Sequence, residues 1–378
     1  MTTDVAHETM LAFARRTGLT SSQHPPVRYL WTDAFAVCNF LGRFVDRGDE
    51  ESLRLARRLV DQTHHVLGRH RPDDPRSGWI SGLPEAEGEA HPTRGGLRIG
   101  KPLSERGLGE PVDPAREWDR DGQYFHYLTR WMHALDRVAH VSGDSSYHRW
   151  ACELAQAACM GFMDCSEAGT KRLFWKMSID LGRPQVASTG QHDPLDGFIT
   201  CCELQAWSGG EESLDLSQEI RQLAGLCSGR SWDTDDALGL GGLLCDAHRL
   251  AQLPQSRAST EPRLIEGLLQ SSLRGLQALV SQGVFEGAAG RRLAFRELGL
   301  SIGLHAAEQI AIPGVAGGHA GTLLRDLARY RPLASHIERF WLEPARRESR
   351  AWGDHRDIND VMLATSLAPG GYLAVGRG

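Results

Sequence analysis

The chain has 378 residues, 41% of them hydrophobic and 24% charged, with a net charge of −6 at pH 7. This length and composition fit a globular protein with a substantial core. The negative charge argues against a general nucleic-acid binder, and no stretch approaches the roughly 20 apolar residues of a membrane-spanning helix. The first residues also lack the pattern of a signal peptide. We therefore expect a cytoplasmic protein that acts on a small molecule, with neither nucleic acid nor membrane as a partner.

Apolar residues recur at helical spacing along most of the chain, so we predict an all-α protein. Six segments share one pattern, in which an acid precedes an apolar helix rich in glycine and alanine. These predicted inner helices begin near Asp33, Asp121, Asp196, Asp235, Glu297 and Asp357.

Amphipathic segments rich in arginine and glutamate alternate with the six inner ones and are predicted to be outer helices. One is the N-terminal "VAHETMLAFARRTG", and the last is a single helix over "TLLRDLARYRPLASHIERF" (322–340). Strand-like alternation is limited to 77–83 and 171–180, which we predict to be short β-hairpin insertions.

Six inner and six outer helices in alternation predict an (α/α)6 toroid, with the inner helices starting at one shared mouth. We expect a single domain over 1–378, with a long loop insertion at 72–117. The six hairpins, and phrases such as "GDEESLRLARRLVDQ", resemble the (α/α)6-toroid carbohydrate enzymes: six-hairpin glycosidases, unsaturated uronyl hydrolases and N-acylglucosamine 2-epimerases. The resemblance is architectural, and it implies a substrate funnel at the inner-helix starts.

The acids at the helix starts have two explanations. Acids in a first turn cap helices and complement the helix dipole. They could instead meet a substrate, since glycoside hydrolysis needs two facing carboxylates. For hydrolysis we predict Asp121 with Asp235 or Asp196 as the acid/base pair, and Asp33, Glu297 and Asp357 as substrate-binding residues.

Four tryptophans lie one to five residues ahead of these acids: Trp31, Trp118, Trp232 and Trp352. Tryptophan faces stack on sugar rings, although large aromatic residues are also common in cores. We interpret the four as substrate platforms at the mouth.

Histidines support a different chemistry, which is sugar epimerisation or isomerisation. His192 and His355 lie at inner-helix starts near carboxylates, and a pair of histidines on opposite sides of a sugar could move a proton. Each could equally be a hydrogen-bonded structural histidine. No metal-ligand spacing is present, so we expect neither a metal site nor another cofactor.

The insertion contains "HPTRGGLRIGK", in which Arg94, Arg98 and Lys101 surround a glycine turn. Backbone N–H groups and guanidinium groups together suit a carboxylate or phosphate, although a solvated surface loop is the simpler reading. If this loop binds substrate, the sugar is anionic.

The stretch "DTDD" (233–236) matches the motif with which class II terpene cyclases protonate an alkene, and Asp235 would then be the proton donor. Against this, five other inner helices also start with acids, and the repeated tryptophan motifs of those cyclases are missing. A non-catalytic toroid that binds a ligand is a further alternative. We rank glycoside hydrolysis first, followed by epimerisation or isomerisation.

Overall fold

The computed structural model describes residues 2–20, 25–164, 171–207, 214–254, 261–310 and 318–375. These residues are mainly α-helical, and their strands form two short antiparallel pairs. The predicted all-α class is confirmed, with alternating inner and outer helices and short β insertions. In this part of the chain, no helix is both long and apolar enough to cross a membrane.

The chain groups into two compact units, and the division falls within the first helix, α1 (Thr2–Arg16). The N-proximal unit is Ala14–Gly229, and the C-proximal unit combines Met1–Phe13 with Arg230–Gly376. The prediction of a single domain over 1–378 stays a prediction.

The N-proximal unit contains three helical hairpins, each with one inner and one outer helix. The inner helices are α2 (Leu30–Arg47), α6 (Phe125–Ser142) and α8 (Asp193–Trp207); α2 and α8 both pack on α6. Their outer partners are α3 (Glu50–Leu67), α7 (Ser145–Phe162) and α9 (Ser217–Cys227). Two short helices, α4 (Glu85–Ala90) and α5 (Pro114–Glu117), lie within the 72–117 insertion.

The predicted strand segments fold differently from one another. Strand β1 (Gln123–Tyr124) pairs with β4 (Lys176–Met177), and β2 (Met163–Asp164) pairs with β3 (Arg172–Leu173). The segment 171–180 therefore contributes two strands to two different pairs. The segment 77–83 was predicted as a strand, but it makes only one isolated bridge, between Trp79 and Arg69.

The C-proximal unit has inner helices α10 (Ala237–Gln252), α12 (Ala294–Gln309) and α17 (Arg356–Leu367). Its outer helices are α11 (Glu261–Ser281), α13 (His319–Ala328) and α14 (Arg331–Leu342). It also contains the short helices α15 (Pro344–Arg347), α16 (Arg350–Gly353) and α18 (Gly370–Leu373), and two 3-10 helices, Val284–Glu286 and Ala289–Arg291. The single outer helix predicted over 322–340 is wrong. Pro332 lacks the N–H that a continuous helix would need, so it lies in the first turn of a new helix.

The glycines that follow "DTDD" have a packing role. A Cβ atom built on Gly241 of α10 would lie 2.1 Å from the backbone oxygen of Gly299 on α12. A Cβ atom on Gly303 would lie 2.6 Å from the Gly241 Cα atom. Only residues without side chains allow two backbones this close. The glycine-rich sequence of α10 is therefore explained by its contact with α12.

Candidate active site at the inner-helix starts of the N-proximal unit

The first-turn acids of α2 and α8 are paired with arginines. Asp33 is buried in the first turn of α2, where it lies 3.4 Å from Arg28 Nη1 and accepts a hydrogen bond from the Tyr29 backbone N–H. Asp196 lies in the first turn of α8 and accepts a hydrogen bond of 2.9 Å from Arg130. Both carboxylates are thus neutralised within the protein.

Asp121 lies four residues before the start of α6 and is fully buried. Its carboxylate accepts hydrogen bonds from the side chains of Arg98 and Arg71, and from the backbone N–H groups of Gly100, Lys101 and Gly122. The anion bound by the glycine turn of "RGGLRIGK" is therefore Asp121 of the chain itself. These contacts enclose the carboxylate, and the acid/base role of Asp121 stays a prediction.

Arg94 is also engaged within the protein. Its guanidinium group lies 3.2 Å from the buried Glu153 carboxylate on α7. Lys101 differs from Arg94 and Arg98, since its ammonium group makes no hydrogen bond or ion pair with the described residues. It lies 5.5 Å above the ring of Tyr29. Burial lowers the pKa of Lys101, while Asp119 and Asp121 act in the opposite direction. Of the three predicted anion ligands, Lys101 is the one whose charged group is not already occupied.

In the C-proximal unit, Asp235 is exposed, and the cap of α10 is its neighbour Asp236, which accepts a hydrogen bond of 2.9 Å from the Gly239 N–H. Asp233 pairs with Arg274 on α11. The acids of "DTDD" thus include one helix cap and one surface ion pair. The cyclase role of Asp235 stays a prediction.

The other predicted residues of the C-proximal unit have mixed surroundings. Glu297, in the first turn of α12, binds Arg292 through both carboxylate oxygens and accepts a hydrogen bond from Trp341. Trp352 is buried and packs against Trp341 at 5.5 Å. Trp232 is buried. His355 is exposed and directly precedes α17, and Asp357 lies in the first turn of α17.

The predicted pairs Asp121–Asp235 and His192–His355 each have one member in either unit, and they stay predictions. His192 is half-buried and directly precedes α8. Trp31 is buried against Phe35 and Tyr127. Trp118 is 62% exposed and packs against Trp175 at 5.9 Å. Of the two predicted platforms in this unit, Trp118 is therefore the one that presents a ring to solvent.

The structure brings together a group of residues that our sequence analysis did not select: Tyr29, Tyr124, His126, Tyr127 and Asp193, here called the tyrosine–histidine site. Each lies at or next to the N-terminal end of an inner helix, because Tyr29 precedes α2, Asp193 begins α8 and the other three flank the start of α6. The pairing of β1 with β4 holds Tyr124 in place.

The rings of this site are in direct contact. The hydroxyl groups of Tyr29 and Tyr127 are hydrogen-bonded at 2.6 Å. The Tyr124 ring lies 5.6 Å from His126 in a stacked arrangement and 5.0 Å from Tyr127 edge-on, measured between ring centroids. His126 is edge-on to Tyr127 at 4.8 Å.

Three polar groups in the site lack hydrogen-bond partners among the described residues: the Tyr124 hydroxyl, Nδ1 of His126 and Oδ2 of Asp193. The other oxygen of Asp193, Oδ1, lies 3.7 Å from His126 Nδ1. Buried polar groups are nearly always hydrogen-bonded in folded proteins, so three such groups close together indicate a place for a polar ligand. Gly190 leaves room for the carboxylate, since a Cβ atom there would lie 2.3 Å from Asp193 Cγ.

Burial keeps the tyrosines protonated at neutral pH. It raises the pKa of Tyr29 to about 12; the hydrogen bond from Tyr127 opposes this rise and the charge of Asp121 adds to it. Burial likewise raises the pKa values of Tyr124 and Tyr127, with neighbouring Tyr29 acting in the same direction. The Tyr124 hydroxyl group, which has no partner among the described residues, can therefore donate a hydrogen bond to a substrate oxygen.

Comparison with known proteins adds little to this geometry. No family model matches the sequence, and no curated protein matches it. A solved structure described as a sugar epimerase from a ruminal bacterium is similar to the chain with a TM-score of 0.48 and 11% sequence identity. The alignment covers 91% of this chain and 87% of that one. Because this similarity is low, we infer the function from the residues of the site alone.

Proposed function

We propose that the chain is a carbohydrate-active enzyme and that its reaction is a proton transfer of the aldose–ketose isomerase or epimerase type at the tyrosine–histidine site. The observation that carries the proposal is the half-exposed His126 beside Asp193 and Tyr124, with unpartnered polar atoms on all three. Histidine is the commonest general base at neutral pH.

In this mechanism, His126 removes a proton from the carbon next to the sugar carbonyl group. The negative charge then develops on the carbonyl oxygen, and the protonated Tyr124 hydroxyl group donates a hydrogen bond to it. For isomerisation, His126 returns the proton to the former carbonyl carbon. In the same step Tyr124 donates its proton to the former carbonyl oxygen and takes up the proton of the adjacent sugar hydroxyl group, which becomes the new carbonyl group. The Asp193 carboxylate, whose Oδ1 atom lies 3.7 Å from His126 Nδ1, attracts the imidazolium ion that forms in this step.

Support for a sugar comes from the aromatic surface beside the site. Tyr124 packs on Trp175 at 5.1 Å, and Trp175 packs on the exposed Trp118. Such ring faces stack on the apolar faces of sugars. Lys101, next to Tyr29, favours a substrate with a carboxylate or phosphate group.

The test is exchange of substrate protons with deuterated solvent, followed by NMR on a panel of aldoses, ketoses and their uronate and phosphate forms. His126→Gln should lower the exchange rate by about 10²- to 10⁴-fold. Tyr124→Phe should lower it by about 10²- to 10³-fold, as removal of an oxyanion donor does. His65→Gln, which changes a half-exposed histidine on α3 outside the site, is the matched control and should leave the rate unchanged.

Other outcomes would contradict the assignment. Exchange that survives His126→Gln but stops in His192→Gln or His355→Gln would restore the histidine pair predicted from the sequence. No exchange with any sugar, together with release of reducing ends from glycosides, would favour hydrolysis. One observation favours hydrolysis as the second candidate: Asp193 is 7% exposed and one of its oxygens has no partner among the described residues, as expected of a carboxyl group reserved for substrate.

A further inference from the structure

Apart from the tyrosine–histidine site, the N-proximal unit contains a cavity of about 610 Å³, lined by α7, α9 and the insertion residue Arg94. Its volume is in the range of small-molecule sites, which is about 300–1,000 Å³. None of its lining residues belongs to the tyrosine–histidine site. Any ligand bound here would therefore make its own set of contacts.

Two carboxylates in this cavity each keep one buried oxygen without a partner. Glu153 on α7 is 5% exposed, and its Oε1 atom accepts from His91 at 2.6 Å and lies near Arg94. Its Oε2 atom, and Oε2 of Glu219 on α9, have no hydrogen-bond partner among the described residues. A buried carboxylate oxygen requires a donor, so these atoms select a ligand with N–H or O–H groups.

The charged groups that line the cavity determine whether it attracts a cation or an anion. Arg94 offsets the charge of Glu153, which leaves Glu219 uncompensated by any other charged group that lines the cavity. An anion would be repelled by both free carboxylate oxygens. A cation would be attracted, and an ammonium group supplies three donors.

The remaining lining combines apolar and amide side chains. Met160, Met163 and Leu214 present apolar surface, and Met160 is 82% exposed. Gln156, Gln218 and Gln222 add amide groups to the wall, and their side chains make no hydrogen bond with the described residues. Methionine side chains adapt to flexible aliphatic chains. The oxygen atoms of the free amide groups can accept hydrogen bonds from further N–H groups of the ligand.

We propose that this cavity, lined by Glu153, Glu219 and Met160, is a binding site for an aliphatic ammonium compound. Its ammonium group would lie between the two free carboxylate oxygens, and its carbon chain would lie against the methionines. This site is independent of the reaction proposed above, since the two share no residue.

The experiment is calorimetric titration of the full chain with 1,4-diaminobutane, compared with the neutral 1,4-butanediol and the anionic succinate. We expect the diamine alone to bind. Glu219→Gln should weaken it by about tenfold or more, as expected for loss of a hydrogen bond to a charged group. Glu343→Gln is the matched control, since Glu343 forms an exposed ion pair with Arg346 in the other unit, and should leave binding unchanged.

Met160→Trp provides a second variant that keeps both carboxylates. Because Met160 is exposed, the larger side chain can be accommodated without repacking the core, and it should reduce diamine binding by filling the cavity. Circular dichroism establishes that each variant is folded. The proposal is overturned if the diamine does not bind the unmodified chain, if succinate or the diol binds as tightly, or if Glu219→Gln and Met160→Trp both leave diamine binding intact.

Discussion

The close contact between α10 and α12 predicts that a side chain added at Gly241 lowers the stability of the fold. In Gly241→Ala, the added Cβ atom would lie 2.1 Å from the backbone oxygen of Gly299, more than 1 Å closer than an ordinary contact. A backbone oxygen cannot rotate away as a side chain can, so the two helices must separate. We expect the variant to fold less stably than the unmodified chain.

The magnitude follows from two opposing terms. Overpacking typically costs about 1–3 kcal/mol, and a backbone clash belongs at the upper end of that range. Alanine gains about 1 kcal/mol over glycine in a helix interior. The free energy of unfolding should therefore fall by about 2 kcal/mol.

Gly267→Ala on α11 is the matched control, because its added Cβ atom would meet nothing within 4 Å. Only the gain in helix propensity applies there, so the free energy of unfolding should rise by about 0.5–1 kcal/mol. Urea denaturation followed by circular dichroism measures both variants. Equal effects of the two substitutions, or a Gly241→Ala variant as stable as the unmodified chain, would refute the close-packing explanation of the glycines.

Two further predictions concern buried charges. Asp121→Asn should lower the free energy of unfolding by about 3 kcal/mol, because it leaves the buried Arg98 without its ion-pair partner, whereas Arg71 keeps its ion pair with Asp73. A loss in urea denaturation no larger than that of Asp354→Asn, which removes an exposed ion pair with Arg350, would contradict this. His148 is half-buried, and although burial disfavours its charged form, its hydrogen bond to Asp136 raises the pKa to about 10. Since this pKa lies above the ordinary value of about 6.5, the stabilisation is complete below about pH 6.5 and is lost as the pH rises towards about 10. The stability difference between the unmodified chain and His148→Gln should shrink over that interval, and a difference independent of pH would show that His148 does not titrate there.

The helices could be predicted from the sequence because a helix with a buried face carries apolar residues at a regular spacing. All six acid-led inner segments are helices, and Asp33, Asp196, Glu297 and Asp357 do lie in first turns. The break before α14 could have been foreseen from Pro332. The second inner helix starts at Phe125 and not at Asp121, because Asp121 is used to hold the insertion.

The candidate site was harder to predict, because its contacts join residues distant in the sequence. The Arg130–Asp196 pair spans 66 residues and leaves no local signal. By contrast, Arg28–Asp33 and Arg292–Glu297 are both five residues apart, so an arginine five positions ahead of an acid could have indicated that these acids are paired. Tyr124, His126 and Tyr127 stand together in "QYFHYL", and their clustering was the available signal for the site.

Because the indole ring of Trp118 is exposed, its fluorescence can report on ligand binding. Six of the ten tryptophans, among them Trp131 and Trp341, are buried, so a small quencher in solution, such as acrylamide, meets the Trp118 ring far more readily. A sugar stacked on that ring would protect it from the quencher. The intensity of its emission would thus follow ligand binding beside the tyrosine–histidine site in real time, with no label attached.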